Sequence, residues 1–124
     1  MPGRVVFAVV VADTDGVIRS WNGPAQDLFG HSAEDAVGRT LDLIVPEAYR
    51  ERHWTAFRAL MAGGDAVLDR GAVSLPAAHR DGSVFRCAVR LVALRDPWDR
   101  PAGATAIFSA QQPDTDNLEP LPEL

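Results

Sequence analysis

The sequence predicts an α+β domain in which helices cover one face of an antiparallel sheet. Two strand-like segments come first, short helical segments and one long helix follow, and three strand-like segments come last. The chain has 124 residues, a size at which a single core is ordinarily self-sufficient. We therefore assign residues 1–110 to one domain and expect the acidic, proline-containing tail at residues 111–124 to be disordered.

The first two strands are predicted to form a hairpin. Residues 5–12 are an apolar run rich in β-branched side chains, and it ends at the turn signal Asp-Thr-Asp-Gly of residues 13–16. Residues 17–21 supply the returning strand. Asn-Gly-Pro at residues 22–24 can then start a short helix, which we expect to stop at Gly30.

Two further helical segments are predicted before the C-terminal strands. Ser32 and Asp35 have the spacing of a capping box, and the short helix that they begin is expected to end at Gly38. A turn covers residues 41–45. Pro46 fits the first turn of the long helix, which should extend to about Met61 and stop at the two glycines that follow.

Three strands are expected at residues 67–75, 84–94 and 104–109, and the first two should form a tight hairpin around Asp81-Gly82. The loop between the last two covers residues 95–103 and contains proline and glycine. In the middle strand, alternation places four apolar side chains on one face: Phe85, Cys87, Val89 and Leu91.

His53 lies on the apolar face of the predicted long helix. At 3.6 residues per turn, this face also carries Tyr49, Ala56, Phe57 and Leu60. An imidazole in such a place is either a core residue whose nitrogens find partners or a ligand directed into a cavity at a metal or cofactor. The helical pattern alone leaves both interpretations open.

Charge and composition argue against several classes of function. The net charge is −5, but the tail carries four of the 17 acidic residues and none of the 12 arginines, so the predicted domain is nearly neutral. It has no basic stripe that would follow a nucleic acid, and no apolar run long enough to span a membrane. Cys87 is the single cysteine, which excludes an intrachain disulfide and fits a cytoplasmic location. Nucleophile, zinc-hydrolase and phosphate-loop motifs are absent, so we expect no enzyme activity.

Three motifs together resemble the PAS sensory family. They are the run at residues 12–18 with Trp21-Asn22, the run at residues 28–35 with Gly38, and Arg-Asp-Gly-Ser at residues 80–83. The resemblance covers about residues 5–110 and implies a five-stranded antiparallel sheet whose concave face, under the helices, can enclose a small ligand. It also implies that a second copy or a signalling protein serves as a partner.

A narrower resemblance concerns the long helix. Pro46-Glu47 and Arg50-Glu51-Arg52-His53 are similar to the oxygen-sensing haem PAS domains of two-component kinases, in which a histidine at this place binds the iron. The resemblance implies that His53 ligates haem b and that the domain senses a diatomic gas or redox state. The residues expected around the cofactor are His53, Tyr49, Phe57, Leu60, Arg52, Leu68, Val73, Val89, Leu91 and Ile107.

The chain departs from those oxygen sensors at Val73. They place an arginine on this strand, where it can donate to bound O₂, whereas the nearest arginine here is Arg70, three residues earlier. Stable O₂ binding is therefore in doubt, and CO, NO, a redox change or a sixth protein ligand stay open.

Two other interpretations concern the ligand of the cavity. Flavin is disfavoured, because Cys87 lies in a predicted strand and the helical Asn-Cys-Arg-Phe-type motif of photoreactive relatives is absent. The alternative to a haem sensor is a dimerisation or interaction module in which His53 belongs to the core and the cavity is empty or holds a different small ligand.

Overall fold

The computed structural model describes residues 7–63 and 72–109. These residues form five strands, three helices and two 3₁₀ turns. In chain order the elements are β1 (Phe7–Ala12), β2 (Ile18–Trp21), α1 (Gly23–Phe29), α2 (Ala33–Ala36), the 3₁₀ turns Leu41–Leu43 and Glu47–Tyr49, α3 (Arg50–Met61), β3 (Val73–Ala78), β4 (Val84–Arg95) and β5 (Pro101–Ser109). Residues 111–124, expected to be a disordered tail, lie outside the described residues.

The five strands form one antiparallel sheet in the order β2-β1-β5-β4-β3. The N-terminal hairpin joins the C-terminal strands through β1 and β5, where Ala8 lies opposite Phe108 and Val9 opposite Ile107. This arrangement confirms the predicted α+β fold with a five-stranded antiparallel sheet. None of the described helices has both the length and the apolar character needed to span a membrane.

The local signals of the first helices are confirmed at atomic detail. The Asn22 side chain caps α1 by accepting from the backbone N–H of Ala25 at 3.0 Å, and Gly30 ends the helix in the left-handed conformation at φ 85°. Ser32 Oγ accepts from the N–H of Asp35 at 3.1 Å and caps α2. Helix α2 ends at Ala36, two residues before the predicted end, because Val37 adopts an extended backbone.

Two strand boundaries differ from the prediction. Strand β5 begins at Pro101, three residues early, because Asp96 closes a tight turn by accepting from the N–H groups of Trp98 and Arg100 at 2.9 Å. Strand β3 continues to Ala78 and includes Pro76, which is tolerated because β3 lies at the edge of the sheet. The earlier part of the predicted strand, residues 67–71, is outside the described residues.

Helix α3 packs across the sheet face that holds the core. A 3₁₀ turn at Glu47–Tyr49 leads into the helix, so the α-helical part begins at Arg50 rather than at the proline before it. Phe57 and Leu60 of α3 are buried against this face. The largest fully buried side chains of the core are Phe29, Ile18, Val10 and Val89.

Candidate functional site

An apolar cavity of about 200 Å³ lies between α3, the segment before it and the covered face of the sheet. Eight of the ten residues expected around a cofactor line this cavity: Tyr49, Arg52, His53, Phe57, Leu60, Val73, Val89 and Leu91. Helical periodicity brings His53, Phe57 and Leu60 to the inner side of α3, and strand alternation does the same for Val89 and Leu91 of β4. The structure thus brings the two predicted groups of side chains to one site.

Ile107 was expected beside the cofactor, but it does not line the cavity. The register of β5 gives the reason. The cavity-lining side chains of this strand are Ala104, Ala106 and Phe108, and Ile107 alternates with them. It therefore belongs to the other face of the sheet, where it lies opposite Arg90 of β4. Leu68, the tenth expected residue, lies outside the described residues.

Several cavity residues were missed from the sequence. Leu41, Ile44 and Val45 precede the long helix and form one end of the cavity, and Leu75 and Ala77 extend the wall on β3. The apolar character of the 41–45 segment was the available signal. It does not show which of these side chains turns towards the helix, because that depends on how the 3₁₀ turn docks.

His53 is half-buried, and one of its ring nitrogens lacks a hydrogen bond to the described residues. Among the buried side-chain nitrogen and oxygen atoms of the described residues, its Nδ1 is the one without a hydrogen-bond partner. The imidazole instead packs between aromatic rings: it meets Trp54 edge-on, with centroids 4.9 Å apart, and Phe57 at 6.0 Å. A buried polar atom without a partner reduces stability by about 1–3 kcal/mol, and native proteins seldom retain one without a function.

The electrostatics of the site favour a neutral imidazole. Burial lowers the pKa of His53 below its ordinary value, and the negative charge of Asp42 opposes this shift only in part. Neutral imidazole is the form that donates a lone pair to a metal. Over residues 7–63 and 72–109, no cluster of three or more His, Cys, Asp or Glu side chains could hold a bare metal ion. Among the described residues, the site therefore offers a single neutral imidazole in apolar surroundings.

Arg52 supplies a positive charge at the rim of the cavity. Arg52 is exposed, and its guanidinium carbon lies 5.8 Å from the centroid of the Tyr49 ring, a cation–π distance. On the sheet side, Val73 is 8% exposed and presents an apolar side chain to the cavity. Among the described residues that line the cavity, Arg52 is therefore the side chain that could meet an anionic ligand group.

The cysteine and the other two histidines do not line the cavity. Cys87 is buried in β4, its Sγ lies 3.3 Å from the carbonyl oxygen of Ser109, and burial raises the pKa of its thiol to about 11. His79 accepts the backbone N–H of Asp81 at its Nδ1, at 3.1 Å, within the β3–β4 turn. Neither residue lines the cavity, and neither does His31.

Sequence comparison places the chain among sensory proteins. A family model described as the PAS fold matches residues 5–109. An uncharacterized protein of Azorhizobium caulinodans is 36% identical over 106 residues, which are 85% of this chain and 14% of that protein. The sensor protein FixL of Bradyrhizobium diazoefficiens is 29% identical over 79 residues, which are 63% of this chain and 15% of that protein. The chain therefore spans only a small part of these relatives.

Solved structures show the same fold. The PAS domain of a Colwellia psychrerythraea protein superposes with a TM-score of 0.69 at 24% identity, and the match covers 82% of this chain and 83% of that one. An RNA-binding light-oxygen-voltage receptor gives 0.66 at 23% identity over 82% of this chain and 28% of that one. The PAS domain of the Cronobacter turicensis quorum-sensing receptor RpfR, in complex with C12:0, gives 0.64 at 12% identity over 88% and 97%.

Proposed function

The chain belongs to the PAS family, and from this premise we propose that it is a sensory module that binds haem b through His53 and responds to a diatomic gas or to redox state. One observation carries the proposal. A neutral imidazole on the long helix lines an apolar cavity, and its buried Nδ1 has no hydrogen-bond partner among the described residues. The resemblance of the Arg50–His53 run to haem-binding PAS domains, and the similarity to FixL, support the same cofactor.

The side chains around His53 suit a porphyrin. Phe57, Val89 and Leu91 offer apolar surface to the faces of a flat macrocycle, and Arg52 at the rim offers a guanidinium to its carboxylates. His53 would hold the iron of the haem from α3. When bound, haem would supply an iron that can bind a gas molecule or a protein side chain.

The size of the cavity bears on how binding is read out. Sites for drug-sized ligands have volumes of about 300–1,000 Å³, and the cavity measures about 200 Å³. A haem therefore requires α3 and the facing strands to move apart. Such a displacement shifts the population between two packed arrangements and is the signal that we propose for a partner or a second copy.

The apolar side chain of Val73 bears on which gas the site would favour. It could not donate a hydrogen bond to O₂, a ligand that would benefit from a donor. CO gains much less from a donor. We therefore expect CO and NO to be the better ligands of this site.

The test is a hemin titration followed by absorption spectroscopy. The wild-type protein should develop a Soret band that shifts after dithionite and CO, whereas His53→Ala should bind hemin at least about tenfold more weakly. Added imidazole should restore part of the band in His53→Ala, because it can occupy the vacated ligand position. His79→Ala is the matched control, since His79 lies in the β3–β4 turn outside the cavity lining. Equal titrations of the wild-type and His53→Ala proteins would exclude the proposal.

The second candidate is a PAS interaction module without iron, and the cavity volume of about 200 Å³ favours it. A slender apolar molecule would fit this space without movement of the helix. Native mass spectrometry of the purified protein would reveal such a molecule, and light scattering would show whether the module forms a homodimer. Flavin adduct chemistry is not supported, because Cys87, the one cysteine of the chain, does not line the cavity.

A further inference from the structure

We propose that Trp54 is the positioning residue of His53, and that Asp42 and Gly16 hold Trp54 in place. The inference rests on the proposed function only in taking His53 as the residue that meets the bound molecule. It assigns to aromatic packing a task that a hydrogen bond performs in most histidine sites.

The need for such a residue follows from the Nδ1 atom of His53. A metal-binding histidine ordinarily donates from its second nitrogen to a carboxylate, a carbonyl or water, and this bond fixes the plane of the ring. The Nδ1 of His53 has no hydrogen-bond partner in the part of the chain that the structure describes. The ring is therefore oriented by its neighbours Trp54 and Phe57, at centroid distances of 4.9 and 6.0 Å. Trp54 is the closer, and its plane stands at 70° to the imidazole.

A hydrogen bond to a carboxylate fixes Trp54 itself. Its indole Nε1 donates to Oδ1 of Asp42 at 2.7 Å, a short bond to an ionised group. Arg50 holds the same loop, because its Nη2 donates to the backbone oxygen of Asp42 at 3.2 Å and its Nε lies 3.8 Å from Oδ1. The acceptor is thus anchored on the first turn of the helix that carries His53.

The indole of Trp54 also packs against Phe57 and Gly16. Phe57 meets it edge-on, with centroids 5.6 Å apart and planes at 80°. On the side of the β1–β2 turn it lies against Gly16, where a Cβ would overlap ring carbons Cζ3 and Cη2. Trp54 is therefore held by Asp42, Phe57 and the β1–β2 turn. A movement of the His53 ring towards Trp54 would therefore meet a side chain that is itself held in place.

The experiment compares Asp42→Asn and Asp42→Ala in the protein without hemin. Asparagine keeps an oxygen that accepts from the indole, whereas alanine removes the acceptor. We expect Asp42→Ala to accelerate hydrogen exchange of the Trp54 indole N–H by about tenfold or more. It should also weaken the nuclear Overhauser effects between the His53 and Trp54 rings. Asp42→Asn should retain most of both signals.

Trp54→Phe keeps an aromatic ring and removes the donor, so it tests the same idea if Asp42→Ala does not fold. Its His53 ring resonances should broaden or average, while those of Trp98→Phe, the control at a 73% exposed tryptophan, should match the wild type. Unchanged His53 signals in both Trp54→Phe and Asp42→Ala would overturn the inference. Because these readouts need no hemin, they can succeed or fail independently of haem binding.

A second readout applies once hemin binds. A histidine held in one orientation gives narrow electron paramagnetic resonance lines from ferric haem, so Trp54→Phe should broaden the lines at unchanged hemin stoichiometry. Lines of wild-type width in Trp54→Phe would contradict a positioning role, even if His53 binds the iron.

Discussion

Gly16, in the turn between β1 and β2, lies directly beneath the indole ring of Trp54 on α3. Its backbone has φ of +78°, and a Cβ at this position would overlap two carbons of the indole. The turn and the helix can therefore pack this closely because residue 16 has no side chain. This contact joins the N-terminal hairpin to the helix that carries His53.

We predict that Gly16→Ala lowers the free energy of unfolding by about 2–5 kcal/mol. The left-handed backbone alone accounts for about 1–2 kcal/mol, and displacement of the indole adds an overpacking penalty of about 1–3 kcal/mol. Urea denaturation measures the change. Gly38→Ala is the matched control, because Gly38 has φ of +96° with no heavy atom within 4 Å of the position of a Cβ. An equal decrease in the free energy of unfolding of both variants would mean that the indole ring moves aside without an overpacking penalty.

The sequence predicted the local features of this site because their signals are local. The turn at residues 13–16, the cap at Asn22 and the inward face of α3 with His53 each follow from residue types within a few positions. Which side chains of β5 point towards the core does not follow from the sequence, because residues 104–108 are apolar or small on both faces of the strand. Only the pairing with β1, which sets Ala8 opposite Phe108, turns Phe108 inward and Ile107 outward.

The bond between Trp54 and Asp42 was equally beyond the sequence. The two residues are 12 positions apart, and neither side chain belongs to a motif that indicates the other. The contact depends on how α3 docks against the 3₁₀ turn at Leu41–Leu43. No pattern in the sequence therefore indicates this hydrogen bond.

We predict that Asn22→Ala lowers the free energy of unfolding by about 2 kcal/mol. Asn22 caps α1 and also bonds to β1. Its Oδ1 accepts from the N–H of Val9 at 2.9 Å, and its Nδ2 donates to the carbonyl of Phe7 at 3.1 Å. Loss of the cap contributes about 1 kcal/mol and the bonds to β1 a similar amount. Urea denaturation should show a smaller loss, about 1 kcal/mol, for Ser32→Ala, which removes a cap alone. An Asn22→Ala loss no larger than that of Ser32→Ala would show that the bonds to β1 add nothing.

We predict that Cys87 resists alkylation in the native protein. Burial raises the pKa of its thiol to about 11, so at pH 8 only about one thiol in a thousand is ionised. Iodoacetamide should therefore label Cys87 at least about 100-fold more slowly than an exposed cysteine introduced by Ser83→Cys, as followed by mass spectrometry. Both sites should react at similar rates in urea. Rapid native labelling of Cys87 would contradict its buried placement in β4.

We predict that His53 makes the protein less stable below pH 6.5. Its pKa in the folded state is lowered by burial, so the unfolded chain binds a proton first as the pH falls from the ordinary value of 6.5. At pH 7.5 both states are neutral at this residue and it contributes no pH dependence. As the pH falls from 6.5 to the lowered pKa of His53 in the folded state, the free energy of unfolding must decrease.

In His53→Gln this contribution is absent, so urea denaturation at pH 7.5 and 5.5 should show a larger loss for the wild-type protein than for the variant. The comparison cancels His31, whose pKa is also lowered, since both proteins contain it. A wild-type protein that gains stability relative to His53→Gln on acidification would instead show that the charge of Asp42 outweighs burial and holds the imidazole as a cation.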